Sequence, residues 1–328
     1  MSHMTYAEAM VVGLVQGVTE LFPVSSLGHN VLIPALIGGS WARDLDVSTP
    51  ESPYLAFIVG LHVATALAMI IYFWRDWLRI VNGLISSVRE RRVVTADQRL
   101  AWMIILATIP VGIAGLALEH LFRVVFSKPI PTALFLAANG VILLVGERRA
   151  RQTRPRLAAL DEPGIDPKPA TASGEHSPTR LVVRDERQQE IERAVAADGR
   201  LALMSYPQAV LIGSAQILAL LPGISRDGVV TVTGLFRGLS RADAVRFSFL
   251  LSAPVILAAG VLKVPDLTGP LGAGVRGQVL AGSLLSFIGA YLSVRFLTRY
   301  FAKERPLTPF GIYCLAAGLG CLIYLLVR

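Results

Sequence analysis

Residues 16–29 read QGVTELFPVSSLGH and gather an amide, a carboxylate, two hydroxyls and an imidazole in one short stretch. Gln16 and Glu20 are one helical turn apart and share a face. Pro23 then breaks the helix, because proline lacks an N–H and clashes with the preceding turn. Ser26 has the makings of a nucleophile, and His29, one turn on, of its base or of a later acid. Glu20 suits two tasks: orienting the imidazole, or holding Mg²⁺ or Ca²⁺ together with substrate phosphates, a site that needs only one or two carboxylates. Capping the helix after Pro23 is the plainer use of Ser25 or Ser26.

A second stretch, residues 222–228, reads PGISRDG. Arg226 can grip phosphate through paired, charge-assisted hydrogen bonds. Glycine lets backbone N–H groups approach, and a helix starting beyond the break adds its positive end. A purely structural ion pair between Arg226 and Glu20 is the competing reading. His62, inside an apolar run, reads as a packing residue.

Such groups are costly in lipid and are tolerated where they line a protein cavity. The surroundings are lipid-like. The chain has 328 residues, 53% of them hydrophobic and only 16% charged, with a mean hydropathy of +0.57. Several apolar runs reach the ~20 residues that cross a bilayer as helix. The expectation is an all-α polytopic membrane protein. The net charge of +8 is then a topology signal, since cytoplasmic loops collect Lys and Arg. Nucleic acid is excluded as a partner, because the arginines lie in short loops rather than in a folded basic domain. Cys314 and Cys321 share a helix face, too far apart to bond, and read as small buried hydrophobes. Residues 1–4, MSHM, are set outside the fold.

The elements follow in order. Residues 6–37 form a re-entrant hairpin broken at Pro23, since neither half is long enough to cross. A polar loop over 38–53 leads to spans at 54–74, 100–118 and 130–145, with a basic cytoplasmic loop at 75–99. Residues 148–200 are rich in Pro, Arg, Asp, Glu and Ala and read as a mostly disordered cytoplasmic linker with a polar helix over 181–197. A second hairpin at 201–236 precedes spans at 242–262, 279–297 and 310–327.

The two halves look like copies of one unit. At an offset of 200, Tyr6, Ala9, Gly13, Gln16 and Leu21 match Tyr206, Ala209, Gly213, Gln216 and Leu221; at 199, Pro23 and Ser26 match Pro222 and Ser225. Three spans after each hairpin reverse the entry side, giving an inverted-topology repeat. Such repeats place sites near the midplane, at broken helices. The two tips are expected to meet there, bringing Glu20, Ser26 and His29 to Ser225 and Arg226.

At these residues the chain resembles the undecaprenyl pyrophosphate phosphatase family, the bacitracin-resistance membrane phosphatases called BacA or UppP. QGVTELFPVSSLGH looks like that family's first signature and PGISRDG like its second; FWRDW (73–77) and FSFLLSAP (247–254) are also familiar. The resemblance implies hydrolysis of a polyprenyl pyrophosphate to the monophosphate and inorganic phosphate, recycling the lipid carrier of cell-wall synthesis. It implies a bacterial plasma-membrane location with the site facing the outer side. Glu20, Ser26 and His29 would be catalytic; Gln16, Ser25, Ser225 and Arg226 would hold phosphate; Glu20 would also hold the divalent cation. The partners implied are the polyprenyl pyrophosphate and membrane lipid, with a homodimer left open. Two departures stand out. Asp227 occupies a position where the family usually has Ser, and could add a metal ligand. Val230 stands where it usually has Thr, with Thr231 one residue late. A polyprenyl-phosphate flippase, using the same inverted-repeat site, is the rival from another class.

Overall fold

A computed structural model describes residues 4–45, 53–121, 128–158, 186–268 and 274–327. Every regular element among them is a helix. The expected loop and linker stretches at 46–52, 122–127, 159–185 and 269–273 lie outside the described residues.

α1 (Tyr6–Leu21) starts at a reciprocal cap: Thr5 Oγ1 accepts the Glu8 N–H, and Glu8 accepts the Thr5 N–H at 2.7 Å. It stops two residues before Pro23. α2 (Ser26–Ile37) leads into the short α3 (Gly39–Asp44), so the polar loop contains one helical turn. α4 (Pro53–Tyr72) bends by 85° into α5 (Trp74–Glu90). The basic loop expected there is thus largely an amphipathic helix. Trp74, Leu78, Val81, Ile85 and Val88 expose one apolar stripe, while Ile80, Gly83 and Ser87 are buried on another face.

α6 (Ala96–Leu121) and α7 (Pro129–Ala158) complete the first half; α8 (Glu186–Leu201) then bends by 100° into α9 (Tyr206–Ser214). α9 tightens into a 3₁₀ turn, Ala215–Leu220, before α10 (Arg226–Phe236). α11 (Arg241–Thr268), α12 (Arg276–Ala302) and α13 (Thr308–Val327) follow. Among the described residues five helices are long and apolar enough to cross a membrane, or up to seven if each bent pair is one span.

Helix enters the 148–200 segment from both ends: the tail of α7 reaches Ala158, and the polar helix expected over 181–197 appears as α8, described over Glu186–Leu201. Burial explains the second: Asp198 is 1% exposed and bonds both Arg79 and Arg246. Met4, set outside the fold, is buried, and its carbonyl accepts from Gln278 Nε2 at 3.1 Å.

Small residues bring the helix backbones together. A Cβ on Gly13 or Gly17 of α1 would collide with the backbone of Gly282 or Ser286 in α12. Gly213 of α9 abuts Ala107 of α6 in the same way, and Gly140 of α7 abuts Gly311 and Leu315 of α13. Close approach through small residues is how helices associate where lipid offers no hydrophobic drive.

Candidate active site

The breaks at Pro23 and Pro222 face each other, and α2 and α10 start there. Each helix is capped by a serine. Ser25 Oγ accepts the Gly28 N–H, and Ser225 Oγ accepts the Gly228 N–H. This pairs Ser25 with Ser225 at an offset of 200, and therefore Ser26 with Arg226. The sequence match of Ser26 to Ser225 slips by one because the second tip carries an extra residue between proline and cap.

Ser25 also holds the tips together. Its hydroxyl accepts the Gly223 N–H at 3.1 Å, and its φ of 68° is a conformation usually left to glycine. Asn139, in the first half of α7, is a second tie. Its amide donates to the Pro23 carbonyl at 3.0 Å, and its oxygen accepts the Ser225 N–H at 3.0 Å. Gly223, at φ 112°, lets this tip lie on α7: a Cβ would stand 2.7 Å from Leu136 N.

Glu20 is the hub. One carboxylate oxygen accepts from Gln16 Nε2 at 2.8 Å and from the Ser26 hydroxyl. The other pairs with Arg226 Nη2 across the gap between the tips. Gln16 in turn accepts from Asn30 at 2.6 Å. Gln16, Glu20, Ser25, Ser26, His29 and Ser225 are all buried. Arg226 is 16% exposed at its side chain, and its Nε has no hydrogen-bond partner among the described residues.

His29 is turned elsewhere. Its Nδ1 lies 2.7 Å from the Ser25 carbonyl, which can only accept, so the proton is assigned to Nδ1. Nε2 then accepts from the Tyr313 hydroxyl at 2.7 Å. Ser26 therefore hands its hydrogen bond to Glu20 and not to His29. His62 is not a mere packing residue: its Nε2 stands 3.5 Å from Glu20, with Nδ1 held by the Ile58 carbonyl.

Asp227 points away from the Glu20 hub into α11. Its Oδ1 accepts from Ser248 at 2.5 Å and Ser252 at 2.6 Å, the two serines of FSFLLSAP. Its Oδ2 is buried without a hydrogen-bond partner among the described residues. Val230 and Thr231 are buried within α10.

All seven site residues read from the sequence thus gather at the two tips, with His29 on the Tyr313 side. Sequence reasoning missed Asn139, Tyr313, Asn30 and the proximity of His62. An amide inside the apolar run 130–145 was a usable signal for Asn139. Tyr313 gave none, since a tyrosine near a helix end reads equally as an interface anchor.

Among the described residues no group of three or more His, Cys, Asp and Glu side chains could hold a metal ion. Among the described residues Glu20 offers a carboxylate that reaches both tips, while Asp227 of the second tip gives its Oδ1 to Ser248 and Ser252. That donor set fits a divalent cation arriving with a polyphosphate that supplies the remaining oxygens.

The chain matches the family described as Bacitracin resistance protein BacA over residues 9–320. A relative from Mycolicibacterium paratuberculosis, named undecaprenyl-diphosphatase, is 58% identical over 100% of this chain and 99% of its own length. Undecaprenyl-diphosphatase 1 of Frankia casuarinae is 50% identical over 98% of this chain and 99% of its own length. A more distant relative from Chromobacterium violaceum, undecaprenyl-diphosphatase 2, is 37% identical and still spans 99% of this chain. With agreement of that length, reaching through both polar tips and the helices that carry them, this chain belongs to the BacA family.

Proposed function

We propose that this protein is a membrane phosphatase that hydrolyses undecaprenyl diphosphate to undecaprenyl phosphate and inorganic phosphate. One observation carries the reading: Glu20 of the first tip bonds at once the Ser26 hydroxyl beside it and the Arg226 guanidinium of the opposite tip. A base, a nucleophile and a phosphate clamp then share one centre. The names of the relatives supply the substrate.

In the proposed cycle the terminal phosphate displaces Glu20 from Arg226, which takes its oxygens by charge-assisted hydrogen bonds. Ser26 Oγ attacks the terminal phosphorus while Glu20 takes its proton. The bridging P–O bond breaks and undecaprenyl phosphate leaves. Water then hydrolyses the phosphoserine, releasing inorganic phosphate and restoring the Ser26 hydroxyl. The contacts favour Ser26 over His29 as nucleophile, because both ring nitrogens of His29 are engaged elsewhere. His29 is read as the proton donor to the leaving phosphate once its Nε2, which accepts from Tyr313 at rest, has taken up a proton. Gln16 holds the Glu20 carboxylate in place. A divalent cation, Mg²⁺ or Ca²⁺, would be held by Glu20 and the diphosphate and would neutralise phosphate charge.

The site is read as the meeting point of two inverted halves, residues 5–147 and 201–328, each a re-entrant hairpin followed by spans. Reciprocal packing supports this. Gly13 of the first hairpin abuts α12 of the second half, and Gly213, its counterpart at offset 200, abuts α6 of the first. The basic ends Arg89, Arg91, Arg92, Arg299, Lys303 and Arg305 point to a cytoplasmic face, leaving the site to open outward.

Detergent-purified protein given undecaprenyl diphosphate, with and without EDTA, tests the proposal through phosphate release. Release should be lost in Arg226→Ala and Ser26→Ala and reduced by EDTA. Full activity in Arg226→Ala would remove the clamp, and a wild-type protein that never releases phosphate would remove the reading.

A further inference from the structure

His62 stands beside Glu20, and the proposed cycle gives it no task. It lies on α4, outside both tips, with its side chain 27% exposed against 5% for Glu20. Its Nδ1 is 2.8 Å from the Ile58 carbonyl, an oxygen that can only accept, so the ring proton is assigned to Nδ1. Nε2 then carries a lone pair, and it faces a carboxylate oxygen, Glu20 Oε2, 3.5 Å away. That separation exceeds the roughly 2.7–3.2 Å of an N–H···O hydrogen bond. Two acceptors thus confront each other across a short gap.

Histidine meets a metal ion in this way. A ligating imidazole gives its other N–H to a backbone carbonyl or a carboxylate, which fixes the tautomer and leaves the free nitrogen for the metal. The spacing fits as well. Two donors about 2.1 Å from one cation stand about 3.0 Å apart at a right angle and about 3.4 Å apart at a tetrahedral one. Oε2 is also the Glu20 oxygen away from Arg226, which pairs with Oε1. A cation on Oε2 and Nε2 therefore leaves the guanidinium for phosphate. The present donors to Oε2, Gln16 Nε2 and the Ser26 hydroxyl, are neutral, so a cation can replace them without stranding a charge. Among the described residues no third His, Cys, Asp or Glu joins the pair, and the remaining positions fall to phosphate oxygens and water.

We propose that His62 Nε2 and Glu20 Oε2 are two ligands of one divalent cation that arrives with the diphosphate. The inference rests on the reading of Glu20 as the cation's carboxylate and goes beyond it in ligand and in metal. An imidazole nitrogen suits first-row transition metals, whereas Ca²⁺ takes oxygen ligands. The pair therefore favours Mn²⁺, which accepts both donors, over Ca²⁺.

The test loads the detergent-purified full chain with Mn²⁺ and methylenediphosphonate, a diphosphate mimic whose methylene bridge resists hydrolysis. Pulsed electron paramagnetic resonance should show modulation from an imidazole nitrogen bound to Mn²⁺. His62→Gln and Glu20→Gln should each abolish it. His29→Gln should keep it, because both His29 nitrogens are engaged elsewhere. By calorimetry wild type should hold Mn²⁺ roughly tenfold or more tightly than Ca²⁺, and His62→Gln should weaken Mn²⁺ by roughly tenfold or more. Thermal unfolding identifies a variant that fails to fold, and the wild-type spectrum then decides alone. Wild type without nitrogen modulation overturns the proposal, as does modulation that survives His62→Gln or Glu20→Gln or disappears with His29→Gln. Phosphate release from undecaprenyl diphosphate, followed in parallel, keeps the two readings apart: a chain that releases phosphate with no nitrogen on its metal loses this ligand and keeps the hydrolysis.

Discussion

Ser26→Ala and Glu20→Gln should lower kcat by about 10²–10⁴-fold, the usual worth of a nucleophile's proton acceptor, while detergent-solubilised protein stays folded. Arg226→Lys should not rescue Arg226→Ala, because an ammonium lacks the planar fork that grips phosphate at two points. Ser25 separates two effects in one residue. Ser25→Ala keeps a side chain at φ 68° and loses both bonds of the hydroxyl; Ser25→Gly loses the same bonds and relieves the backbone. Ser25→Gly should therefore unfold at the higher temperature of the two, by an amount worth roughly 1 kcal/mol. Equal melting temperatures would mean the backbone at Ser25 is unstrained.

At the level of helices, position depends on small residues. A Cβ at Gly17 would stand 2.9 Å from backbone atoms of Ser286, so Gly17→Ala must push α1 off α12. Glu20 lies one turn beyond Gly17. The substitution should cost about 1–3 kcal/mol and lower phosphate release although residue 17 touches no substrate. Much of this was legible in the chain. Pro23 and Pro222 marked the breaks, and Gln16, Glu20, Ser26 and Arg226 stood out because polar groups are expensive in apolar runs. Asn139 is legible by the same rule. His62 and Tyr313 were not, because a helix-borne ring shows its direction only once its neighbours are packed. The one-residue slip at the second tip was hidden as well. Only the capping bonds of Ser25 and Ser225 fix which residues correspond, and identity between short segments cannot place a gap.

Across the whole molecule, the basic face is tied together by carboxylates. Glu147 accepts two bonds from Arg241, one from Arg151 and one from the Leu307 N–H, joining α7, α11 and the turn before α13. Glu147→Ala would leave Arg241, 5% exposed, without its main partner. Breaking a buried pair from one side costs about 3–5 kcal/mol, which thermal unfolding should register even if activity survives. Composition could not reveal this. The arginines of the 75–99 stretch and of 237–241 read from sequence as loop charges that set topology. In the fold, Arg79 and Arg241 are structural and partly buried, matched to acids from distant elements, as is Arg246 within α11. The all-helical class and the apolar length of the spans were readable. The partner of each charge depends on the tertiary arrangement.

The bond between Glu20 and Arg226 also makes the resting site choosy. A guanidinium already occupied by an internal anion ignores chloride and singly charged head groups and yields only to a more highly charged rival. Apparent affinity for any such rival is reduced by the fraction of time the carboxylate is in place. Glu20→Gln, slow as a catalyst, should accordingly hold orthophosphate roughly tenfold or more tightly than wild type by calorimetry. An unchanged affinity would mean that the carboxylate does not compete for that ground.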